Sequence, residues 1–314
     1  MSKKVLIAAP VHDVLLSKLS ALGYTYDIIT DVNNERASAT VANYEGIITS
    51  TRLNMDKAFI DQATQLKWVG RMGSGMEIID LAYATEKKIA CFSSPEGNAN
   101  AVAEQALGML LSLQHKVNSA HAELQQNIWL REENRGVELE GLTAGIIGYG
   151  HNGSAFARKL KAIDVNVLAL DKYKNGFAEQ GIFECAAIQE IYEQADIISF
   201  HLPLDNETQF YFDEEFVQSM NKPFVLLNLS RGKIVRQSAL YNGMKNEKII
   251  AAALDVFEVE PIQKMKDDMR AQLDELLAMP NFIGTPHIGG YTVQALYKMS
   301  FVLAQKIENS IYKK

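Results

Sequence analysis

Ala144-Gly145-Ile146-Ile147-Gly148-Tyr149-Gly150-His151-Asn152-Gly153 joins an apolar run to a turn with glycines spaced G-x-G-x-x-G at Gly148, Gly150 and Gly153. Such a triplet alone is a weak signal. Here an apolar strand precedes it and a helical pattern follows through Ala155, Phe156, Ala157, Lys159 and Leu160. A second apolar run, Val165 to Leu170, then ends at Asp171, 18 residues after Gly153. This strand, turn, helix and acidic residue form the fingerprint that holds a dinucleotide. Gly148 permits the tight turn, Gly150 lets backbone approach a pyrophosphate, and Gly153 lets helix and strand pack closely. The helix start adds N–H groups and a positive dipole end, with His151 and Asn152 in its first turn. Asp171 is placed to bond the ribose hydroxyls and to repel a ribose phosphate, which favours NAD over NADP; Lys172 beside it tempers that preference.

Outward from this turn, short aliphatic runs recur at Val5 to Ala9, Gly46 to Thr49, Lys67 to Gly70, Asp196 to Phe200, Phe224 to Asn228, Ile249 to Leu254 and Phe282 to Gly284. Runs this short, separated by crossover-length segments, predict parallel strands buried on both faces and an α/β class. The 314 residues allow two domains. Ser94-Pro95-Glu96-Gly97-Asn98 is a turn-rich boundary, followed by a long helix from near Asn100. Its stripe, Val102, Ala106, Met109, Leu110, Leu113 and Val117, continues through Leu124 to Trp129 and suits either a domain core or a subunit interface.

The formal charge of −7 and a hydrophobic content of 47% argue against nucleic acid as partner and for a globular chain with large cores. Cys91 and Cys185 make no disulfide framework and fit no metal motif, which points to a reducing, cytoplasmic setting. The apolar N-terminal run is interrupted by His12 and Asp13, so it reads as a buried strand rather than a signal segment. No run is long enough to cross a bilayer.

Three polar clusters each follow a strand: Asn228-Leu229-Ser230-Arg231-Gly232, Asp255 to Pro261, and Thr285-Pro286-His287. Spaced by about one strand-helix repeat, they are expected at the carboxyl edge of one sheet, where the glycine turn also opens. Arg231 offers a permanent cationic fork for a carboxylate and a carbonyl oxygen. His287 can give that oxygen a proton and take it back. Glu260 can bond the other ring nitrogen and stabilise the imidazolium.

These residues resemble the D-isomer-specific 2-hydroxyacid dehydrogenase family, phosphoglycerate dehydrogenase-like, over nearly the whole chain. The resemblance rests on the glycine turn, His201-Leu202-Pro203-Leu204 with Thr208, the Asn228 to Gly232 cluster, Ala253 to Glu258 with Glu260-Pro261, and Thr285 to Gly290. Gly70 to Met76 with Asp80 resembles the family's substrate-carboxylate loop, and Asn98 to Glu104 its hinge and first long helix. It implies two Rossmann/flavodoxin-like lobes with parallel sheets, the cofactor lobe (99–286) inserted in a substrate lobe (1–98 plus 287–314). It implies Arg231, Glu260 and His287 as catalytic residues and Asp255 as the group holding the nicotinamide carboxamide. Asp171, His201, Pro203, Thr208, Leu229, Gly289 and Gly290 are the other implied cofactor contacts. Ser74 and Gly75 would cradle the substrate carboxylate through their N–H groups. Asn100 would be the hinge contact to substrate.

The sequence departs from the family at Glu77-Ile78, Thr49, Arg236-Gln237 and Gly289, and in a long charged segment from Ile262 to Met279. Arg52 and Arg71 are the candidates to meet a substrate phosphate. The expectation is an NAD-dependent D-2-hydroxyacid dehydrogenase, with D-3-phosphoglycerate as substrate and a homodimer as the assembly. A glyoxylate or hydroxypyruvate reductase is the alternative within the class, and an NAD-sensing corepressor-like binding protein the alternative outside it.

Overall fold

The protein is described by a computed structural model over residues 3–51 and 53–312; Arg52 lies outside the described residues. The chain divides into two compact units, residues 1–99 with 290–314, and residues 100–289. The first holds strands β1 (Lys3–Ile7), β2 (Tyr24–Ile28), β3 (Gly46–Thr49), β4 (Trp68–Arg71) and β5 (Ala90–Ser93), all parallel, in the order β2-β1-β3-β4-β5. The second holds β6 (Thr143–Ile147), β7 (Asn166–Leu170), β8 (Ile182–Glu184), β9 (Ile197–Phe200), β10 (Phe224–Asn228), β11 (Ile249–Leu254) and β12 (Phe282–Gly284), parallel in the order β12-β11-β10-β9-β6-β7-β8. Every residue of β3, β4, β9 and β10 is buried, which is why these strands read as mostly apolar runs rather than alternating ones, with their polar residues confined to Thr49, Arg71, Ser199 and Asn228 at or near the carboxyl ends.

In the second unit the strand order reverses between β6 and β9. The crevice beyond their carboxyl ends is where an open α/β sheet takes its ligand, and the glycine turn leaves β6 at that point. Helices cover both faces, and the core runs through Ile147, Ile198, Phe200, Phe212, Leu226 and Leu240. In the first unit Val5, Ile7, Leu15, Ile48 and Trp68 pack against Leu303, Ala304 and Ile307 of the C-terminal helix Val293–Tyr312.

Several boundaries differ from those expected. The helix expected from near Asn100 begins at Pro95 and runs to Gln114. The turn-rich cluster is its first turn, because proline at the first helical position gives up an N–H that has no partner there anyway. The pattern to Trp129 is not one helix: Lys116 has φ +53°, and a second helix spans Val117–Gln125. Val102, Ala106, Met109, Leu110 and Leu113 are buried, while Val117, Leu124 and Trp129 are exposed. The lobe boundary also moves. Thr285 to Gly289, expected partly in the substrate lobe, belong to the second unit, where Asp255 accepts from the N–H groups of Ile288 and Gly289 and its carbonyl accepts from His287 N–H.

Candidate active site

The glycine turn is tight for a measurable reason. Gly148 has φ +95°, and a Cβ there would lie 2.5 Å from the His201 carbonyl oxygen; a Cβ on Gly153 would lie 2.0 Å from the Gly148 carbonyl oxygen. Gly150 has open space in front of it, leaving its backbone approachable. The helix His151–Lys161 starts directly after it, with His151 exposed and the Asn152 Oδ1 buried and without a partner among the described residues. A close-packed turn, an uncovered glycine and a waiting side chain at a helix start fit the pyrophosphate of a dinucleotide.

Asp171 follows β7 and closes the turn: its Oδ2 accepts from Tyr149 N–H at 2.6 Å and its Oδ1 from Tyr173 and Lys174 N–H at 2.9 Å each. Lys172 is engaged by Glu207 and does not neutralise Asp171. His201 forms the floor of the turn. Its Nε2 bonds Ser199 Oγ at 2.9 Å, its Nδ1 is buried without a partner among the described residues, and burial pushes its imidazole down to about 4. Thr208 closes the loop after β9 by donating to the Pro203 carbonyl at 2.7 Å.

Three strand ends of the second unit carry the charged residues. After β10, the buried Asn228 accepts from Ser230 N–H and Oγ and donates to the Arg231 carbonyl at 2.9 Å, wrapping the turn that presents Arg231; Leu229 is buried beneath it. The Arg231 Nη1 donates to the Ser230 carbonyl at 2.7 Å. Gly232 is required because a Cβ there would meet the Phe257 carbonyl at 1.7 Å. After β11, Glu260 accepts from Phe257 N–H at 2.9 Å with one oxygen, and with the other meets His287 Nδ1 at 2.7 Å. Burial works to raise the Glu260 carboxyl; the hydrogen bonds from His287 and Phe257, helped by the charges of His287 and Arg231, outweigh it and hold it below the ordinary range. With Nδ1 committed to Glu260, Nε2 is the ring nitrogen left for a reacting oxygen, and the His287 side chain keeps 45% of its accessible surface.

Asp255 is 1% exposed. Its carboxylate accepts from Thr285 Oγ1, Gln105 Nε2 and the N–H groups of Ile288 and Gly289, so it holds the His287 turn as well as facing the glycine-rich end of that turn. Gln105 had no signal in the sequence, since an amide on a helix face is ordinarily solvated.

In the first unit, the loop after β4 corrects one expectation. Arg71 is 8% exposed, donates from Nη1 to the Met72 carbonyl at 2.7 Å, and fills the space a Cβ on Gly73 would need. It supports the loop from behind rather than reaching outward to a phosphate. Ser94, fully buried, fastens the same loop by accepting from Gly73 N–H at 3.1 Å. Among the described residues none accepts from the backbone N–H of Ser74 or Gly75. Asn100 is a second correction: its amide bonds Glu104 and Lys159. Lys159 stands nine residues past Gly150, about 13 Å along the helix from the turn. Asn98 is the better candidate. Its Oδ1 is buried without a partner among the described residues, and its Nδ2 sits 2.6 Å from where a Cβ on Gly290 would be, which is why glycine follows Gly289.

The departures at Gln237 and in the 262–279 segment are linked. Gln237 N–H donates to Glu258 at 2.9 Å and its Nε2 to the Met269 carbonyl at 2.6 Å, tying down the helix Asp267–Ala278.

A family model described as D-isomer specific 2-hydroxyacid dehydrogenase, NAD binding domain, matches residues 107–289. The chain is 32% identical over 307 residues to a D-3-phosphoglycerate dehydrogenase of Archaeoglobus fulgidus, an alignment that covers 98% of this chain and 57% of that protein. The chain thus spans little more than half the length of that relative. It is 32% identical over 260 residues to a hydroxypyruvate reductase of Thermotoga maritima, covering 82% of this chain and 81% of that one. The structure of a D-lactate dehydrogenase from Aquifex aeolicus, complexed with NAD and lactic acid, superposes with a TM-score of 0.84 at 25% identity over 99% of this chain and 96% of that one. The match over the dinucleotide-binding unit, with relatives of this identity along nearly the whole chain, shows that it belongs to the D-isomer specific 2-hydroxyacid dehydrogenase family.

Proposed function

We propose that the protein is an NAD-dependent dehydrogenase interconverting a D-2-hydroxy acid and its 2-keto acid, with D-3-phosphoglycerate as its hydroxy-acid substrate. The observation that carries the reading is the 2.7 Å bond between His287 Nδ1 and Glu260, which fixes a proton donor at the sheet edge where Arg231 stands. The glycine turn and the helix His151–Lys161 would hold the pyrophosphate of NAD, which when bound would supply or accept the hydride through its nicotinamide. Arg231 bonds the substrate carboxylate and polarises its carbonyl oxygen. His287 gives that oxygen a proton from Nε2 during reduction and removes it during oxidation, and Glu260 balances the charge on the ring. In the other unit, the uncommitted N–H groups of Ser74 and Gly75 form the kind of donor pair that takes a carboxylate. Asp171, with Lys172 drawn to Glu207, supports NAD over NADP.

Phosphoglycerate is supported by the relatives of that name along 98% of the chain. The position of Arg71 favours hydroxypyruvate reduction as the second reading, since a buried guanidinium behind its loop does not meet a substrate phosphate. NADH oxidation at matched concentrations of 3-phosphohydroxypyruvate, hydroxypyruvate, glyoxylate and pyruvate tests both. Turnover fastest with the phosphorylated acid supports the first reading, and turnover fastest with hydroxypyruvate replaces it with the second. Turnover with none of them would sink the dehydrogenase reading and leave a binding protein. The same reading includes a homodimer, supported by the exposed apolar side chains between residues 117 and 137.

A further inference from the structure

Gln105 lies on the helix Pro95–Gln114, and its side-chain amide bonds Asp255 and Thr285 rather than the Arg231, Glu260 and His287 group. Its Nε2 stands 2.9 Å from Asp255 Oδ1 and 2.9 Å from Thr285 Oγ1. The Thr285 hydroxyl is 2.6 Å from the same Asp255 oxygen. A carboxylate only accepts, so the Thr285 hydroxyl spends its single proton on Asp255 and can only accept from Gln105. Both oxygens beside the Gln105 amide are therefore acceptors, as is the Met109 sulfur at 3.9 Å, and the nitrogen with its two protons must face them. The amide oxygen in that place would meet two electron-rich atoms. The triangle closes with every proton assigned.

We propose that Gln105 is a positioning residue of the reaction assigned above, on which this inference rests. It holds Asp255 and Thr285 so that the turn between them and Gly289 presents His287 in one orientation. That turn is constrained on every side. His287 has φ +55°, a left-handed backbone that is uncommon in residues other than glycine. Its N–H donates to the Asp255 carbonyl at 2.8 Å, and the next two N–H groups, of Ile288 and Gly289, donate to the Asp255 carboxylate at 2.9 and 2.7 Å. A Cβ on Gly289 would lie 2.9 Å from the same carboxylate, so glycine is what lets the turn come this close to Asp255. Thr285 and the two N–H groups all come from the turn itself; Gln105 is the donor that reaches this carboxylate from a separate helix. It ties the turn to a framework outside it, which is what keeps a proton donor within the small displacement its reaction tolerates.

The test uses Gln105→Met, which keeps the length and unbranched shape of the side chain and removes both protons. Thr285→Val opens the same triangle from its other corner while keeping volume, and stands in should Gln105→Met fold poorly. Amide hydrogen exchange of the ligand-free chain is expected to speed up about tenfold at Ile288 and Gly289 in either variant, with the strands of the same unit unchanged. In steady state, kcat is expected to fall about tenfold with KM for the keto acid within about twofold. The double variant is expected to lose no more than the worse single, because one network is broken twice. Wild-type exchange at Ile288 and Gly289 in Gln105→Met overturns the proposal, as do losses in kcat that multiply in the double variant. If the unmodified chain turns over no 2-keto acid, the functional reading fails by itself, and the exchange measurement still decides whether Gln105 holds the turn.

Discussion

At Glu260 two opposing effects meet, and the balance sets what the histidine can do. Burial disfavours the carboxylate, yet the bonds from His287 and Phe257 keep it ionised below the ordinary range, so the pair stays charged on the Glu260 side at any neutral pH. Glu260→Gln keeps the shape and an accepting oxygen but removes the charge. A charge-assisted bond contributes roughly 1.5 to 3 kcal/mol, so the expected loss in kcat/KM for keto-acid reduction is roughly 10- to 100-fold. Reduction needs a protonated ring, and an imidazolium deprived of its anion gives up its proton more readily. The midpoint of the pH–rate profile should therefore move to lower pH. An unmoved profile in the variant would mean that Glu260 does not act through His287.

Among the elements, the turn between β6 and its helix was legible in the sequence because glycine has no substitute where a Cβ would come within 2.0 Å of a carbonyl. The buried strands were legible for the same kind of reason: burial on both faces favours apolar residues, and the polar ones that remain, Thr49, Arg71, Ser199 and Asn228, stand at or near the carboxyl ends. The strands that escaped were β2, β5 and β8. Tyr24-Thr25-Tyr26-Asp27-Ile28 and Ile182-Phe183-Glu184 are edge strands with one face in water, and Ala90 to Ser93 is only half-buried, so none carries a continuous apolar run. The break at Lys116 escaped because the apolar spacing continues across it. Asn98 and Asn100 differ by two positions on one helix, which places them on different faces; spacing from a motif could not separate them, whereas the Lys159 contact does. The floor of the turn makes a prediction of its own. His201 titrates near 4 when folded and near 6.5 when unfolded, so as pH falls the unfolded chain takes up the proton first. The stability this gives is whole above about pH 6.5 and is lost progressively between there and about pH 4. Urea titrations at pH 7 and 4.5 should show the wild type losing roughly 2 to 3 kcal/mol more than His201→Gln over that interval. Equal losses would place a water or another partner on the ring.

On the scale of the whole molecule, charge and apolar surface pull in opposite directions. Each copy carries −7, which opposes association, but that repulsion is screened beyond about 8 Å at physiological salt. Against it stand Val117, Leu124, Ile128, Trp129, Leu130 and Val137, all exposed, with Trp129 at 79%. Lone exposed apolar residues are ordinary; six within 21 residues, one of them a tryptophan, are what an interface needs at its centre. The proposed homodimer buries them. Sedimentation equilibrium at about 10 µM should then give about 70 kDa, twice the 34.9 kDa of one chain. Leu124→Asp with Trp129→Asp removes four apolar side chains from a symmetric interface, at about 1.5 to 3 kcal/mol each. That total of roughly 6 kcal/mol or more raises Kd over about 10,000-fold, and the double variant should sediment as a single chain. A wild type that sediments at 34.9 kDa, or a double variant that stays paired, would place the interface elsewhere or remove it.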